Sequence, residues 1–353
     1  MKGFRYDTQA GRVVFGVGSV ATVRWEVEQL AMRRVAVLCT PGRAALAETI
    51  VRDLGELCVG TYTQAEEHVP RPVVDNALRV VAAWRADGLV AAGGGATIGL
   101  AKAIALETGL PIVAVATTYS GSEMTPVWGI TDNGQKVTGK NLVVKPKTVI
   151  YDPALTTSLP ARVSATSGMN AIAHCVEGLY AENVDPVTSL LAEEGIRALA
   201  QSLPAVVLEP ENIGSRSRAL YGAWLAGTVL ATVGMALHHK LCHVLGGAYH
   251  LPHADIHTVI LPHVARYNAG AAPGAMAAVG RALGTNTEDA PGALFDLALS
   301  MGAPTSLVQL GMAREQLDEA AKLVVQNPYY NPRPIENEAI RQLLQAAYDG
   351  VRP

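Results

Sequence analysis

The sequence predicts an α/β half with a mainly parallel sheet over residues 1–160, followed by an all-α half over residues 161–353. Three observations predict it. Strand-like runs alternate with helix-like runs in the first half, and each strand ends at a polar or glycine-rich tip. After about Pro160 the apolar spacing turns helical, with little strand signal. A chain of 353 residues, 49% hydrophobic and 17% charged, is also long enough to build two full cores.

Taken in order, residues 34–39 form an apolar, β-rich run ending at Thr40-Pro41-Gly42, before an alanine-rich helix. Residues 88–92 reach Gly93-Gly94-Gly95, and 96–106 read as a helix. Residues 111–116 are another buried strand, stopping at Thr117-Thr118. Beyond the change of period, 164–181, 187–201 and 215–233 read as helices, and 269–277 as a loop entering one. No internal repeat or low-complexity segment interrupts this order.

A net charge of -3 and the lack of any Lys/Arg block argue against nucleic acid or another polyanion as partner. The polar start, Met-Lys-Gly-Phe-Arg-Tyr-Asp, does not lead into an apolar run with a cleavage site. Every apolar run is too short to span a bilayer, so a cytoplasmic protein with no membrane partner is expected. Cys39, Cys58, Cys175 and Cys242 show no C-x-x-C spacing and read as reduced, buried packing residues.

Gly93-Gly94-Gly95-Ala96-Thr97, at a strand's carboxyl end and opening a helix, suits a pyrophosphate. No side chain blocks close approach, and free N–H groups and the helix dipole face the anion. The next strand tip, Thr117-Thr118-Tyr119-Ser120-Gly121-Ser122-Glu123, offers hydroxyls to phosphate or ribose. Two such tips together point to a dinucleotide. G-x-G-x-x-G is absent after the first strand, and Thr40-Pro41-Gly42-Arg43 stands where a carboxylate would grip a ribose 2′-hydroxyl. NADPH is therefore expected to be tolerated beside NADH, although Arg43 also reads as a solvated first-turn residue.

Seven of the nine histidines lie between His238 and His263. His239 and His243 are four apart, on one helical face, and a Gly-Gly and Leu-Pro break is expected to bring His253 back over it. Asn170 and His174 repeat the four-residue spacing on another helix. His174, His239 and His253 form a candidate three-imidazole metal set with Asn170 in the fourth position. A neutral amide is a poorer ligand than a carboxylate, which predicts weak divalent binding. His238, His250, His257 and His263 read as packing or surface residues. The expected site is the cleft between the two halves.

Five segments together carry a resemblance: Gly-Gly-Gly-Ala-Thr-Ile-Gly-Leu-Ala-Lys (93–102), Thr-Thr-Tyr-Ser-Gly-Ser-Glu-Met-Thr-Pro (117–126), Val-Ile-Tyr-Asp-Pro (149–153), Ser-Gly-Met-Asn-Ala-Ile-Ala-His (167–174) and Gly-Met-Ala-Leu-His-His-Lys-Leu-Cys-His (234–243). Nearly end to end, the chain resembles the iron-containing (group III) alcohol dehydrogenases, and within them the maleylacetate reductase subgroup. The wider family has Asp at the positions of Asn170 and Gly99; the subgroup shares both departures and is thought to work without a metal.

The resemblance implies a dehydroquinate synthase-like fold with a dinucleotide-binding N-terminal domain and a helical C-terminal domain. It also implies a homodimer, and NADH- or NADPH-dependent reduction of maleylacetate to 3-oxoadipate in the breakdown of aromatic compounds. Cofactor contacts carry over to Gly94, Gly95, Ala96, Thr117, Thr118, Ser120 and Lys140, the proton-relay position to His243, and the ligand positions to His174, His239 and His253. With no tightly bound metal expected, these imidazoles turn with Asn170 to substrate binding and catalysis. Lys240, Arg333 and protonated His239 or His253 are the candidate cations for a small dicarboxylate. The alternatives are a metal-dependent alcohol dehydrogenase, a dehydroquinate synthase-like or glycerol dehydrogenase-like enzyme, and a non-catalytic NAD(P) sensor. The first three need a carboxylate where Asn170 stands, and the last would lose the histidines.

Overall fold

A computed structural model describes residues 6, 11–132, 135–326 and 329–353. The chain forms two compact units, Gln9–Ser158 and Leu159–Pro353, dividing two residues before the expected break after residue 160. The first unit holds β1 (Arg12–Phe15), α1 (Val23–Gln29), β2 (Val35–Leu38), α2 (Ala44–Leu54), β3 (Cys58–Tyr62), α3 (Arg71–Ala83), β4 (Gly88–Gly93), α4 (Gly95–Thr108), β5 (Ile112–Ala116), β6 (Val127–Asp132), β7 (Gln135–Lys140) and β8 (Thr148–Tyr151).

Six strands make one sheet in the order β1-β8-β5-β4-β2-β3, every neighbouring pair parallel. Because β2, β4, β5 and β8 are buried along their whole length, they read in sequence as continuous apolar runs. Val35, Val37, Val90, Val113, Val115 and Ile150 pack on one sheet face against Val23 and Val27 of α1 and Ile50 and Leu54 of α2. The chain reverses its direction across the sheet between β2 and β4, so the glycine turn after β4 opens at the topological switch point, where open α/β sheets bind ligands. β6 and β7 form a separate antiparallel hairpin that ends at Lys140.

The second unit is α5 (Ala161–Gly178), α6 (Pro186–Leu208), α7 (Ile213–Thr232), α8 (Leu237–Tyr249), α9 (His253–Asn268), α10 (Pro273–Leu283), α11 (Ala290–Ser300), α12 (Leu317–Val325) and α13 (Asn337–Asp349). Local chemistry sets several starts. The Asp185 carboxylate accepts from Val187 N and Thr188 N ahead of α6, and Asn212 Oδ1 accepts from Ser215 N ahead of α7. Helix α5 is buried from Ser164 to Gly178 and packs on α6, α7 and α9, which explains its small, all-round apolar composition.

Helix α8 departs from the expected break. It runs through Gly246-Gly247 to Tyr249, and the reversal falls on His250, at φ 53° and ψ 30°. Leu251 and Pro252 then lead into α9, whose first residue is His253. Among the described residues no single helix is long and apolar enough to cross a membrane.

Candidate active site

The two cofactor tips are adjacent in the sheet. Gly93 pairs with Ala116, and Thr117 N donates to Gly93 O at 3.3 Å. Gly94 is extended, and a Cβ there would lie 2.6 Å from Thr118 Cγ2, so the close approach of the two tips needs glycine. At Gly95 the space is open, and Ala96 follows in the first turn of α4. Thr97 Oγ1 and Thr117 Oγ1 are buried without partners beside this helix start. Buried hydroxyls are normally satisfied, so a pair of unpaired ones next to free helix N–H groups fits a phosphate-bearing ligand.

Ser120 is already engaged, its hydroxyl donating to Glu123 Oε2 at 3.4 Å, and Lys140 lies exposed at the end of β7. Arg43 donates to Ser158 Oγ at 3.0 Å. Gly99 faces Val69, whose Cγ2 would be 2.6 Å from a Cβ, so an aspartate at this point of α4 would require Val69 to move.

A buried network that sequence reasoning missed holds the second tip. Lys102 Nζ, on α4, donates to Ser122 O at 2.6 Å, Val127 O at 2.8 Å and Thr125 Oγ1 at 2.9 Å. Burial pushes its pKa down to about 7, with the Glu123 charge pulling the other way. Tyr151 Oη donates to Glu123 Oε1 at 2.7 Å, tying the same loop to β8. Burial raises both the Glu123 carboxyl and the Tyr151 phenol.

In the helical unit α5, α8 and α9 assemble the histidines. The His174 and His239 rings stack with centroids 5.0 Å apart, and His243 presents its edge to His239 at 6.4 Å. Asn170, His174 and His239 are buried, whereas His243 and His253 are exposed. Glu177, one turn beyond His174, is the anchor. Its Oε1 accepts from His238 N at 2.7 Å, while Oε2 accepts from Ala236 N at 3.1 Å and from His239 Nδ1 at 2.6 Å. One carboxylate thus caps the start of α8 and orients an imidazole. The i, i+3 spacing of His174 and Glu177 was the signal in the sequence that could have found it.

Asn170 Oδ1, His174 Nδ1 and His239 Nε2 are left buried and unpartnered. Burial, reinforced by the neighbouring imidazoles His239 and His253, holds His174 well below the usual histidine range. It is neutral at pH 7. A cation at these donors would meet a neutral amide and imidazoles with no carboxylate among them, since Glu177 is occupied behind His239. Such a set lacks the anionic ligand that would offset the charge of a divalent ion, and suits one less well than a set that includes a carboxylate.

His257, assigned to packing from sequence, instead has its ring 4.4 Å from His253 and 5.0 Å from His239. It also meets His238, and Cys242 Sγ lies 3.6 Å from His238 Nε2, so this thiol does more than pack. His263 is buried elsewhere on α9, and His250 is the exposed turn residue. Lys240 places Nζ 5.7 Å from the Tyr329 ring centre. Arg333 is not gathered into the cluster. It is exposed, stacks on Tyr267 at 4.1 Å and donates to Tyr267 O.

Two family descriptions match this chain: iron-containing alcohol dehydrogenase over residues 10–153, and the C-terminal part of the Fe-containing alcohol dehydrogenase family over residues 164–348. The chain belongs to the iron-containing alcohol dehydrogenase family. It is an oxidoreductase by that membership. It is 52% identical to maleylacetate reductase of Burkholderia cepacia, and 50% identical to that of Sphingobium indicum, covering 100% and 99% of each pair of chains. Among solved structures, a putative alcohol dehydrogenase from Ralstonia eutropha superposes with a TM-score of 0.98 at 56% identity. Maleylacetate reductase from Agrobacterium tumefaciens superposes with a TM-score of 0.96 at 47% identity, and both cover all of each chain.

Proposed function

We propose that this family member is a maleylacetate reductase, which uses NADH or NADPH to reduce the carbon–carbon double bond of maleylacetate to give 3-oxoadipate in the breakdown of aromatic compounds. The relatives' full-length identity supports the reaction. The structural observation that carries it is the carboxylate-free cluster of Asn170, His174 and His239, whose polar atoms are buried without partners and free to meet a ligand. By the same reading the protein is a cytoplasmic homodimer, with residues 1–160 holding the cofactor and 161–353 the substrate.

Gly94, Gly95 and Ala96 would hold the pyrophosphate, and Thr117, Thr118, Ser120 and Lys140 the rest of the dinucleotide. When bound, it supplies a hydride. No carboxylate follows β2 to repel a 2′-phosphate, which supports use of both cofactor forms. Maleylacetate is a 4-oxo-2-enedioate, so the carbon β to the ketone accepts the hydride and the electron pair moves onto the ketone oxygen as an enolate. Neutral N–H donors in the cluster stabilise that oxygen, and a proton delivered to the carbon between completes the reduction. His243 delivers it; its exposure on α8 lets it recover a proton from water. His253 lines the rim beside it, and Lys240 offers the substrate a carboxylate partner.

A second reading, a metal-dependent alcohol dehydrogenase, is favoured by one feature. A histidine whose Nδ1–H is held by a carboxylate, as His239 is by Glu177, is the usual form of a metal ligand. The deciding experiment follows NADH consumption with freshly generated maleylacetate before and after exhaustive chelation, with an alcohol plus NAD⁺ as control. Chelator-resistant maleylacetate turnover without alcohol oxidation is the expected result. Chelator-sensitive alcohol oxidation would replace this reading with the second.

A further inference from the structure

Tyr329 is a residue that the proposed reaction leaves unused, and its hydroxyl is buried without a hydrogen-bond partner. Such a group has given up its bonds to solvent, so it calls for a water or a ligand.

Contacts from two helices fix where that hydroxyl stands. On α8, Lys240 follows His239 and holds its ammonium 5.7 Å from the centre of the Tyr329 ring, within reach of a cation–π contact. Lys240 is half-buried, and among the described residues it forms no ion pair with a carboxylate. From α9 come the side chains that pin residues 329–334, which run irregularly between α12 and α13. Asn268 Nδ2 donates to Asn331 Oδ1 at 3.0 Å, and Asn331 Nδ2 returns the bond to Asn268 Oδ1 at 2.8 Å. Tyr267 Oη donates to Pro334 O at 2.6 Å, and the Arg333 guanidinium lies over the Tyr267 ring. Arg333, which stands outside the histidine cluster, thus helps to hold the segment that carries Tyr329. Burial first, and the Glu177 charge second, raise the Tyr329 phenol, which keeps its proton and can donate. Since Glu177 is the carboxylate on His239 Nδ1, the hydroxyl lies within electrostatic range of the cluster.

A phenol O–H and an ammonium side by side are suitable partners for a carboxylate, one giving a directed hydrogen bond and the other charge. Maleylacetate has two carboxylates. One is bonded to the carbon that takes the hydride, and goes with that carbon to the nicotinamide. The other ends the acetate arm beyond the ketone, and it needs partners among the substrate-holding helices.

We propose that Tyr329 and Lys240 form the subsite for the acetate-arm carboxylate, with Tyr329 Oη–H as its hydrogen-bond donor. This rests on the reductase reading above. Because the segment is already pinned, binding need order little of it. The test compares Tyr329→Phe and Lys240→Met on maleylacetate and on cis-4-oxopent-2-enoate, which keeps the conjugated ketone and its carboxylate but ends the other arm in a methyl group. The short compound is read by kcat/KM or, where it turns over too slowly, by its Ki against maleylacetate. With maleylacetate, kcat/KM should fall about 10–100-fold in each variant, nearly all of it through KM, as expected for a lost bond to a charged group. With the short compound, either variant should stay within about threefold of wild type, and NADH affinity should be unchanged in both. A Tyr329→Phe protein that binds NADH normally and keeps kcat/KM for maleylacetate within about threefold overturns the proposal alone, leaving the hydroxyl to a buried water. Equal losses on the two compounds also overturn it. Wild-type protein that turns over no maleylacetate overturns the reductase reading and this subsite with it.

Discussion

His239 is held at its ring by Glu177 Oε2 and at its helix start by the same carboxylate, so one side chain sets both the direction of the imidazole and the entry angle of α8. Glu177→Gln keeps the shape but turns one acceptor oxygen into an amide donor facing N–H groups. We expect kcat to fall roughly 10–100-fold, the usual cost of losing a partner behind a functional imidazole. A circular-dichroism melt should show a lower Tm as the α8 cap weakens; unchanged kcat and Tm would mean that Glu177 only fills space. His243 makes a different demand. If it is the general acid proposed above, its replacement in His243→Ala should lower kcat by roughly 10²–10⁴-fold with little change in NADH affinity. Steady-state rates within a few-fold of wild type would move the proton source to another group.

At the scale of elements, the glycine turn and hydroxyl tip were legible because each lies at the end of a buried strand, where composition and place in the α/β alternation agree. Their support was not. Lys102 sits in an apolar helix like an ordinary surface lysine in sequence, yet its ammonium is inside, bonded to the Ser122–Val127 segment of the neighbouring loop. Such contacts, 20 to 25 residues away along the chain, leave no period to read. Lys102→Met keeps the stem but removes the ammonium's bonds to the Ser122 and Val127 carbonyls and Thr125 Oγ1, leaving Thr125 as the remaining donor to Ser122 O, at a cost of about 1–3 kcal/mol. The expected outcome is a lower Tm and an NADH Kd raised about tenfold, about 1.4 kcal/mol of binding, with kcat at saturation largely kept. Titration of NADH fluorescence decides this, and an unaltered Kd would separate the network from the cofactor. The break after α8 was misplaced for a related reason. Glycine costs roughly 1 kcal/mol in a helix, but burial of Leu241, Cys242 and Leu245 against α9 and α12 carries α8 through Gly246-Gly247.

For the whole molecule, the change from alternating to helical period carried the division into two units, since each unit's core imposes its own spacing. What sequence spacing could not show is how many imidazoles are sealed inside the helical one. His238 and His257 are 19 residues apart on different helices, and only packing makes them partners. This burial has a consequence for acid stability. His174, His238 and His257 are held well below the usual range by burial first and neighbouring imidazoles second, and His263 is pushed to about 4 by burial alone. In the unfolded chain all four titrate near 6.5, so above that pH neither state is protonated and the folded protein keeps its full stability. As pH falls from 6.5 toward 4, the unfolded chain takes up protons that the folded one refuses. Stability should then drop by roughly 1 kcal/mol per buried imidazole for each pH unit. Calorimetric melts between about pH 7 and 5 should therefore show Tm falling steeply below 6.5, with proton uptake on unfolding. His263→Phe should reduce that uptake by about one proton while leaving the other three in place. A Tm that stays level across this window would mean that the buried rings find protons, and partners for them, in the folded state.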